Sequence, residues 1–280
     1  MNILDQGLTS ETSQNLYLGS ELEMLWHCQS DPRFSYYAIV PGDIVKNDQI
    51  RYEIMCFVHG TGRTTEDYHR LFRSFAEKHH LILLFPLFPG GLLEKDDFNS
   101  YKLLTDHGIR YDLILLQMME EIAERYPGQV NTEKLWLYGW SGGGQFVHRF
   151  LYVHPEKLHA VCIGAPGRIT YLDDTRDYYW GTRDFHAYFD KDYDLDRIRE
   201  VPVLLMIGEY DTKFVGESDF GSNRMERLLN LKKNYESCNI PVQMEILEGF
   251  EHKGHADEKA EAVMRFFEKI MKQQGGRAHD

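Results

Sequence analysis

The sequence predicts an α/β protein with a mostly parallel central sheet of about eight strands and helices on both faces. Short apolar runs alternate with longer stretches of helical periodicity, the pattern of parallel strands joined by helical crossovers. Two runs, at 160–164 and Val203–Gly208, are apolar throughout, as expected of strands buried on both faces. The 280 residues are 42% hydrophobic and 27% charged, and we expect residues 1–280 to form a single domain.

Each predicted element is bounded by a turn residue or a change in periodicity. Pro41 closes the second strand, Pro86 the fourth and Pro127 the helix at 111–126, because proline continues neither a helix nor a central strand. The predicted strands are 22–28, 36–40, 54–58, 81–85, one that ends at 138, 160–164, Val203–Gly208 and Val242–Leu247. The predicted helices are 68–78, 111–126, one from about 143 to Pro155, and 256–271.

Residues 166–200, here called the aromatic segment, do not follow this alternation. A long connection without periodicity is usually functional or disordered, and a disordered segment is poor in aromatic residues. We therefore expect an ordered lid or substrate-binding insertion, in which Tyr171, Tyr179 and Trp180 contact the substrate. The alternative is a segment whose aromatic side chains only pack against the rest of the protein and have no role in substrate binding.

The formal net charge of −13 disfavours nucleic acid and anionic membranes as partners. It also disfavours a polyanionic substrate, unless the fold contains a local basic pocket. Arg168, Arg176 and Arg183 of the aromatic segment could bind a carboxylate, although we interpret them as solvated surface charges.

The four cysteines are interpreted as free thiols, most of them buried. No C-x-x-C spacing supports a metal site or a disulfide framework, and the residues are Cys28, Cys56, Cys162 and Cys238. The first residues have neither the basic nor the apolar part of a signal peptide, and no apolar run approaches the roughly 20 residues that span a bilayer. We expect a cytoplasmic protein without membrane contact.

A glycine-flanked serine, Ser141, follows an apolar run that ends at Tyr138. A helical stretch begins near Gly143, so the G-x-S-x-G pattern lies between a strand and a helix. In that context the serine occupies a strained turn that exposes its hydroxyl, and the helix N-terminus that follows favours negative charge. We predict that Ser141 is a nucleophile.

The acid and the base are expected at the carboxyl ends of later strands, in the chain order serine, acid, histidine. Asp211 comes soon after the strand Val203–Gly208 and is the predicted acid, with Glu209 as the alternative. Only three histidines follow it. His279 lies in a terminal tail, and His252 is nearer than His255 to the end of the last strand. We predict His252 as the base and keep His255 as the alternative.

An oxyanion needs two backbone N–H donors. One is expected from Gly142, which follows the serine, and the other from the turn after the strand 54–58. In that turn Thr61 is the predicted donor and Gly62 the next choice. His59 precedes the serine in the chain and is interpreted as a brace for the turn.

The serine, acid, histidine and oxyanion turn together resemble the α/β-hydrolase superfamily over roughly residues 20–270. The resemblance is to its esterase and polyhydroxybutyrate-depolymerase-like group, and it is carried by the segments 36–41, 59–60, 111–112, 140–143 and 154–155 and by the loop ending at His252. Trp140, before the serine, is a further candidate for substrate contact.

This resemblance implies an α/β-hydrolase fold and a serine carboxylic ester hydrolase that needs neither cofactor nor metal. The expected substrate is a small or medium ester, cleaved through an acyl-enzyme on Ser141. A peptidase or thioesterase would use the same residues, because the fold does not set the substrate. The hypothesis from another class is a non-catalytic binding protein with this fold. The sequence carries no signal for the oligomeric state.

Overall fold

The computed structural model describes residues 23–44 and 49–277. It contains ten strands: β1 (Glu23–His27), β2 (Ser35–Ile39), β3 (Tyr52–Val58), β4 (Leu81–Leu87), β5 (Thr105–Asp106), β6 (Ile109–Arg110), β7 (Val130–Trp140), β8 (Leu158–Gly164), β9 (Val203–Gly208) and β10 (Val242–Leu247). Its α-helices are α1 (Glu66–Leu71), α2 (Arg73–His79), α3 (Tyr111–Arg125), α4 (Gly142–Val153), α5 (Phe185–Phe189), α6 (Leu195–Glu200), α7 (Arg224–Ser237) and α8 (Ala256–Arg277).

Eight of these strands form one sheet, in the order β1-β2-β4-β3-β7-β8-β9-β10. The pairs β1–β2 and β2–β4 are antiparallel, and the pairs from β4 to β10 are parallel. Strands β5 and β6 form a separate two-stranded ribbon. The predicted mostly parallel sheet of about eight strands is confirmed.

Helices cover both faces of the sheet because successive side chains of each strand point to opposite sides. In β3, Ile54 and Cys56 enter the core beneath α3, α4 and α7, whereas Met55 and Phe57 enter the core beneath α2 and α8. All four side chains are at most 1% exposed. The predicted helices on both faces are therefore confirmed.

Several boundaries differ from the predictions. The predicted helix 68–78 is two helices, α1 and α2, which meet at the buried Phe72. Strand β7 continues to Trp140, α4 begins at Gly142, and α8 extends to Arg277. Helix α7 was not predicted, because its buried residues form a thin stripe among charged and polar ones. Leu22, at the start of the first predicted strand, lies outside the described residues.

The aromatic segment packs onto the rest of the fold through its own side chains. The hydroxyl of Tyr171 donates to the carbonyl of Arg227 in α7 at 3.2 Å, and that of Tyr178 donates to the carbonyl of Leu103. Phe185 and Phe189 of α5 are at most 3% exposed. These contacts fix much of the segment against α7 and against the turn that precedes β5.

All four cysteines are unpaired, and three of them are buried. No helix in the described ranges is long and apolar enough to cross a membrane.

Candidate active site

Ser141 lies in the turn between β7 and α4, with φ 58° and ψ −110°. A residue with a β-carbon pays a steric cost for this positive φ, and such strain concentrates at functional sites. The surrounding structure holds the turn in place, since the Ser141 N–H donates to the carbonyl of Gly164 in β8 at 2.8 Å. The strained turn predicted from the sequence is present.

The glycines around the serine allow strand and helix to approach each other. A β-carbon on Gly143 would overlap the carbonyl oxygen of Val58 in β3, and one on Gly144 would overlap the carbonyl oxygen of Gly164. These are backbone atoms inside the sheet, which cannot move aside as a flexible side chain can. Helix α4 therefore begins directly above the parallel strands only because its first turn is Gly142-Gly143-Gly144.

Three side chains from three strand ends form one hydrogen-bonded chain. Oγ of Ser141 lies 2.9 Å from Nε2 of His252, and Nδ1 of His252 lies 2.5 Å from Oδ2 of Asp211. A carboxylate accepts hydrogen bonds, so Nδ1 carries the ring proton and Nε2 is free to accept the serine hydroxyl proton. The structure thus brings together the three residues that the sequence predicted as nucleophile, base and acid.

The two alternatives named for the acid and the base lie elsewhere. Glu209 accepts from the N–H of Gly249 at 2.8 Å and so ties the end of β9 to the loop after β10. The ring of His255 stacks on Phe250 at 3.7 Å between centroids, and its Nδ1 is 3.8 Å from Oε1 of Glu258. Neither side chain contacts Ser141. His279 lies outside the described residues.

His59 braces the turn after β3. Its Nε2 lies 3.0 Å from the backbone nitrogen of Phe88, which is an obligatory donor, so this ring nitrogen accepts. The other nitrogen, Nδ1, then donates to the carbonyl of Gly60 at 2.8 Å. Burial lowers the pKa of His59 to about 4, which keeps the ring neutral in this arrangement.

The two predicted oxyanion donors are neighbours. A β-carbon on Gly142 would lie 3.1 Å from the Thr61 nitrogen, so the turn after β3 abuts the first residue of α4. The ammonium of Lys102 donates to Oγ1 of Thr61 at 2.7 Å and to Oδ1 of Asn99 at 2.7 Å. The Thr61 side chain is thereby turned toward Lys102. Gly62, the second choice, lines the same cleft.

A cleft of about 420 Å³ opens beside the serine. Its lining includes Ser141, His252 and Trp140, together with Thr61, Tyr68 and Lys259. The cleft lies between the turn after β3 and the loop that carries His252. Among the described residues, no group of three or more His, Cys, Asp or Glu side chains is arranged to hold a metal ion.

Trp140 lines this cleft, whereas Tyr171, Tyr179 and Trp180 do not. Tyr171 is 2% exposed and its ring stacks on Phe220 at 3.7 Å. Trp180 also stacks on Phe220, at 6.4 Å. None of these three side chains of the aromatic segment lines the cleft beside Ser141, and their contact with a substrate stays a prediction.

Comparisons with known proteins rest on structure. No protein-family model matches the chain, and no curated protein matches its sequence. A poly(3-hydroxybutyrate) depolymerase from Bordetella parapertussis superposes with a TM-score of 0.69 at 19% identity, over 93% of this chain and 94% of that one. Poly(aspartic acid) hydrolase-1 from Sphingomonas sp. KT-1 gives 0.62 at 19% identity, over 84% and 92%.

A third match is an S-formylglutathione hydrolase from Agrobacterium tumefaciens, with a TM-score of 0.59 at 14% identity over 91% of this chain and 94% of that one. All three superpositions extend over most of both chains. The chain has the α/β-hydrolase fold. The fold predicted from the sequence is confirmed.

In this α/β-hydrolase fold, two basic residues lie next to the triad of Ser141, His252 and Asp211. Their positions were not predicted from the sequence. Arg224, the first residue of α7, lies 3.3 Å from Oδ1 of the buried Asp211. Lys259 of α8 donates to the carbonyl oxygens of His252 and Gly254 at 3.3 and 2.6 Å. Neither stands in a motif. Nothing in the sequence signals that α7 and α8 bring these side chains to the site.

Lys259 and Trp140 hold the loop of the predicted base together. The Lys259 ammonium lies 3.9 Å from the centroid of the Trp140 indole, and Nε1 of Trp140 donates to the His252 carbonyl at 3.1 Å. The His252 carbonyl therefore accepts from both side chains. Burial lowers the pKa of Lys259 to about 8, which leaves the amine largely protonated at neutral pH.

Because His252 is the predicted base, Lys259→Met is expected to lower kcat by roughly tenfold to a hundredfold, the size of the cost when a base is slightly displaced. KM should change less, because methionine fills a volume similar to that of lysine in the lining of the cleft. Lys269→Met, an exposed lysine on the same helix, is the matched control. Steady-state kinetics with unfolding midpoints of both variants test this. Equal kcat in the two variants would mean that Lys259 does not position His252.

Proposed function

We propose that the protein is a serine hydrolase that cleaves carboxylic esters through an acyl-enzyme on Ser141. The observation that carries this proposal is the hydrogen-bonded chain from Ser141 through His252 to Asp211, at 2.9 and 2.5 Å, on a strained strand-to-helix turn. A nucleophile, a base in contact with it and an acid that orients the base are the parts that acyl transfer needs.

In the first half-reaction, Oγ of Ser141 attacks the ester carbonyl carbon and its proton passes to Nε2 of His252. The negative charge that develops on the carbonyl oxygen is held by the N–H groups of Thr61 and Gly142. Asp211 keeps the imidazole oriented and stabilises the imidazolium that forms. The carbon–oxygen bond to the alcohol then breaks, and the alcohol leaves with the proton from His252.

In the second half-reaction, a water takes the place of the alcohol. His252 removes a proton from this water as it attacks the acyl carbon of the acyl-enzyme, and the same two N–H groups hold the oxyanion. Collapse of the tetrahedral intermediate breaks the bond to Oγ, which regains its proton from His252. The products are a carboxylic acid, an alcohol and the free enzyme.

A small or medium substrate agrees with the cleft volume of about 420 Å³ and with the aromatic side chains of Tyr68 and Trp140 in its lining. The proteins with similar structures are named for different substrates; among them are a poly(3-hydroxybutyrate) depolymerase and an S-formylglutathione hydrolase. The leaving group is therefore tested directly, with oxygen esters, thioesters and amides of one acyl chain.

The test is a panel of p-nitrophenyl esters of graded chain length, with matched acyl thioesters and p-nitroanilides. We expect the oxygen esters to give the highest kcat/KM, because p-nitrophenolate is a better leaving group than a thiolate. The anilides should give the lowest kcat/KM, because an amide carbonyl is less reactive than an ester carbonyl. Faster thioester hydrolysis would reassign the enzyme as a thioesterase. Hydrolysis of none of these compounds would contradict the proposal.

A further inference from the structure

Lys102 and Arg224 lie beside the Ser141 turn and Asp211, outside the lining of the cleft, and together with Arg168 we call them the basic cluster. A β-carbon on Gly142 would lie 2.9 Å from Cε of Lys102. Arg224 reaches Asp211, and its Nε lies 3.8 Å from the position of a β-carbon on Gly167. Arg168 is exposed and follows Gly167 directly. The basic cluster therefore extends from the oxyanion turn to the acid of the triad.

Two fully buried arginines lie beneath the basic cluster. Arg149 donates to the carbonyl oxygens of Lys102 and Arg168 at 2.6 and 3.4 Å, and so joins the backbones of these two residues. Arg227 donates to the carbonyl oxygen of Gly167 at 2.5 Å. Their hydrogen-bond partners are carbonyl oxygens and one threonine hydroxyl, and neither guanidinium forms an ion pair with a carboxylate of residues 23–44 or 49–277.

Arg168 differs from the other two arginines considered in the aromatic segment. Arg176 pairs with Asp173 and Asp219 at 3.2 and 3.0 Å, and Arg183 pairs with Asp177 at 2.6 Å. Within residues 23–44 and 49–277, Arg168 has no carboxylate within ion-pair distance, and its guanidinium lies 5.7 Å from the Tyr179 ring. A protein of net charge −13 thus leaves this exposed arginine without an ion pair, directly after Gly167, which the Arg224 side chain approaches.

We infer that Arg168, with Lys102 and Arg224 beside it, binds a carboxylate on the acyl part of the substrate. This inference rests on the proposed function, because it assigns a substrate class to the same serine. Guanidinium groups bind carboxylates through paired, charge-assisted hydrogen bonds. An overall negative charge repels anions, so a local basic cluster is what an anionic substrate needs in order to reach this site.

The position of His252 indicates which part of the substrate, acyl or alcohol, faces the basic cluster. This histidine must protonate the leaving alcohol, and it lines the cleft. In this assignment the alcohol part lies in the cleft with His252, and the end of the acyl chain faces the basic cluster. A single negative charge fits better than two, because Arg224 is already paired with Asp211 and burial lowers the pKa of Lys102 to about 8.

The test compares 4-nitrophenyl hydrogen adipate with 4-nitrophenyl hexanoate, whose acyl chains have the same length and differ in the terminal carboxylate. The wild-type ratio of kcat/KM, adipate over hexanoate, should exceed one and should fall in Arg168→Gln by on the order of tenfold to a hundredfold. Arg168→Lys should retain part of the ratio. Raising the salt concentration should lower the wild-type ratio as well, because screening weakens charge pairing at exposed sites.

Arg183→Gln is the matched control, because Arg183 lies in the same segment but is paired with Asp177; its ratio should equal that of the wild type. A wild-type ratio at or below one, or a ratio unchanged in Arg168→Gln, would overturn the inference. If neither ester is hydrolysed, the proposed function fails, and calorimetric titration of monomethyl adipate, which carries one carboxylate, into Ser141→Ala decides the anion site. Weaker binding to Ser141→Ala/Arg168→Gln supports the site, and absence of binding to Ser141→Ala overturns it.

Discussion

His252→Ala is expected to lower kcat/KM for the best p-nitrophenyl ester by about 10⁴-fold or more, the range found when the base of such a triad is removed. The hydroxyl of Ser141 loses the acceptor that lies 2.9 Å from it, and the leaving alcohol loses its proton donor. Neither loss is replaced, because the ring of His255 is stacked on Phe250.

His255→Asn is the matched control for this substitution. His255 has a φ of 58°, a conformation that asparagine tolerates better than most residues do. We expect activity within about twofold of the wild type, as for surface substitutions in general. Kinetics of the two variants side by side decide which histidine is the base. Near-wild-type activity in His252→Ala would remove His252 from that role.

Ser141→Ala is expected to lower kcat by roughly 10⁴- to 10⁶-fold, with the fold and its stability preserved. Alanine keeps the β-carbon, so the strained backbone at φ 58° remains as it is and the unfolding midpoint should change little. The remaining rate above background would come from the oxyanion donors and from substrate binding. Measurable burst kinetics in Ser141→Ala would show that another residue forms the acyl-enzyme.

The central sheet and the order of the site residues were predictable because both depend on local pattern and chain order. Apolar runs such as Val203–Gly208 match the observed strand, and parallel strands place their carboxyl ends at one edge of the sheet. Ser141, Asp211 and His252 follow three of those ends. This is why residues more than 40 positions apart could be grouped from the sequence alone.

The choice between neighbouring candidate residues required the three-dimensional structure. Glu209 and Asp211 are two residues apart, and only the structure shows that Asp211 faces His252 while Glu209 binds the Gly249 N–H. The proximity of Arg224 and Lys259 to the site could not be predicted, because it depends on how α7 and α8 pack against the site. In the aromatic segment, composition indicated order but could not distinguish rings that pack inward, such as Tyr171, from rings that face a ligand.

Covalent labelling of the native protein with a fluorophosphonate probe, followed by peptide mapping, tests the role of Ser141 most directly. We expect one labelled residue, Ser141. We also expect loss of labelling in Ser141→Ala and slow labelling in His252→Ala, because the serine attacks phosphorus through the same base. If the folded protein stays unlabelled, or if the label maps to another residue, Ser141 is not the nucleophile.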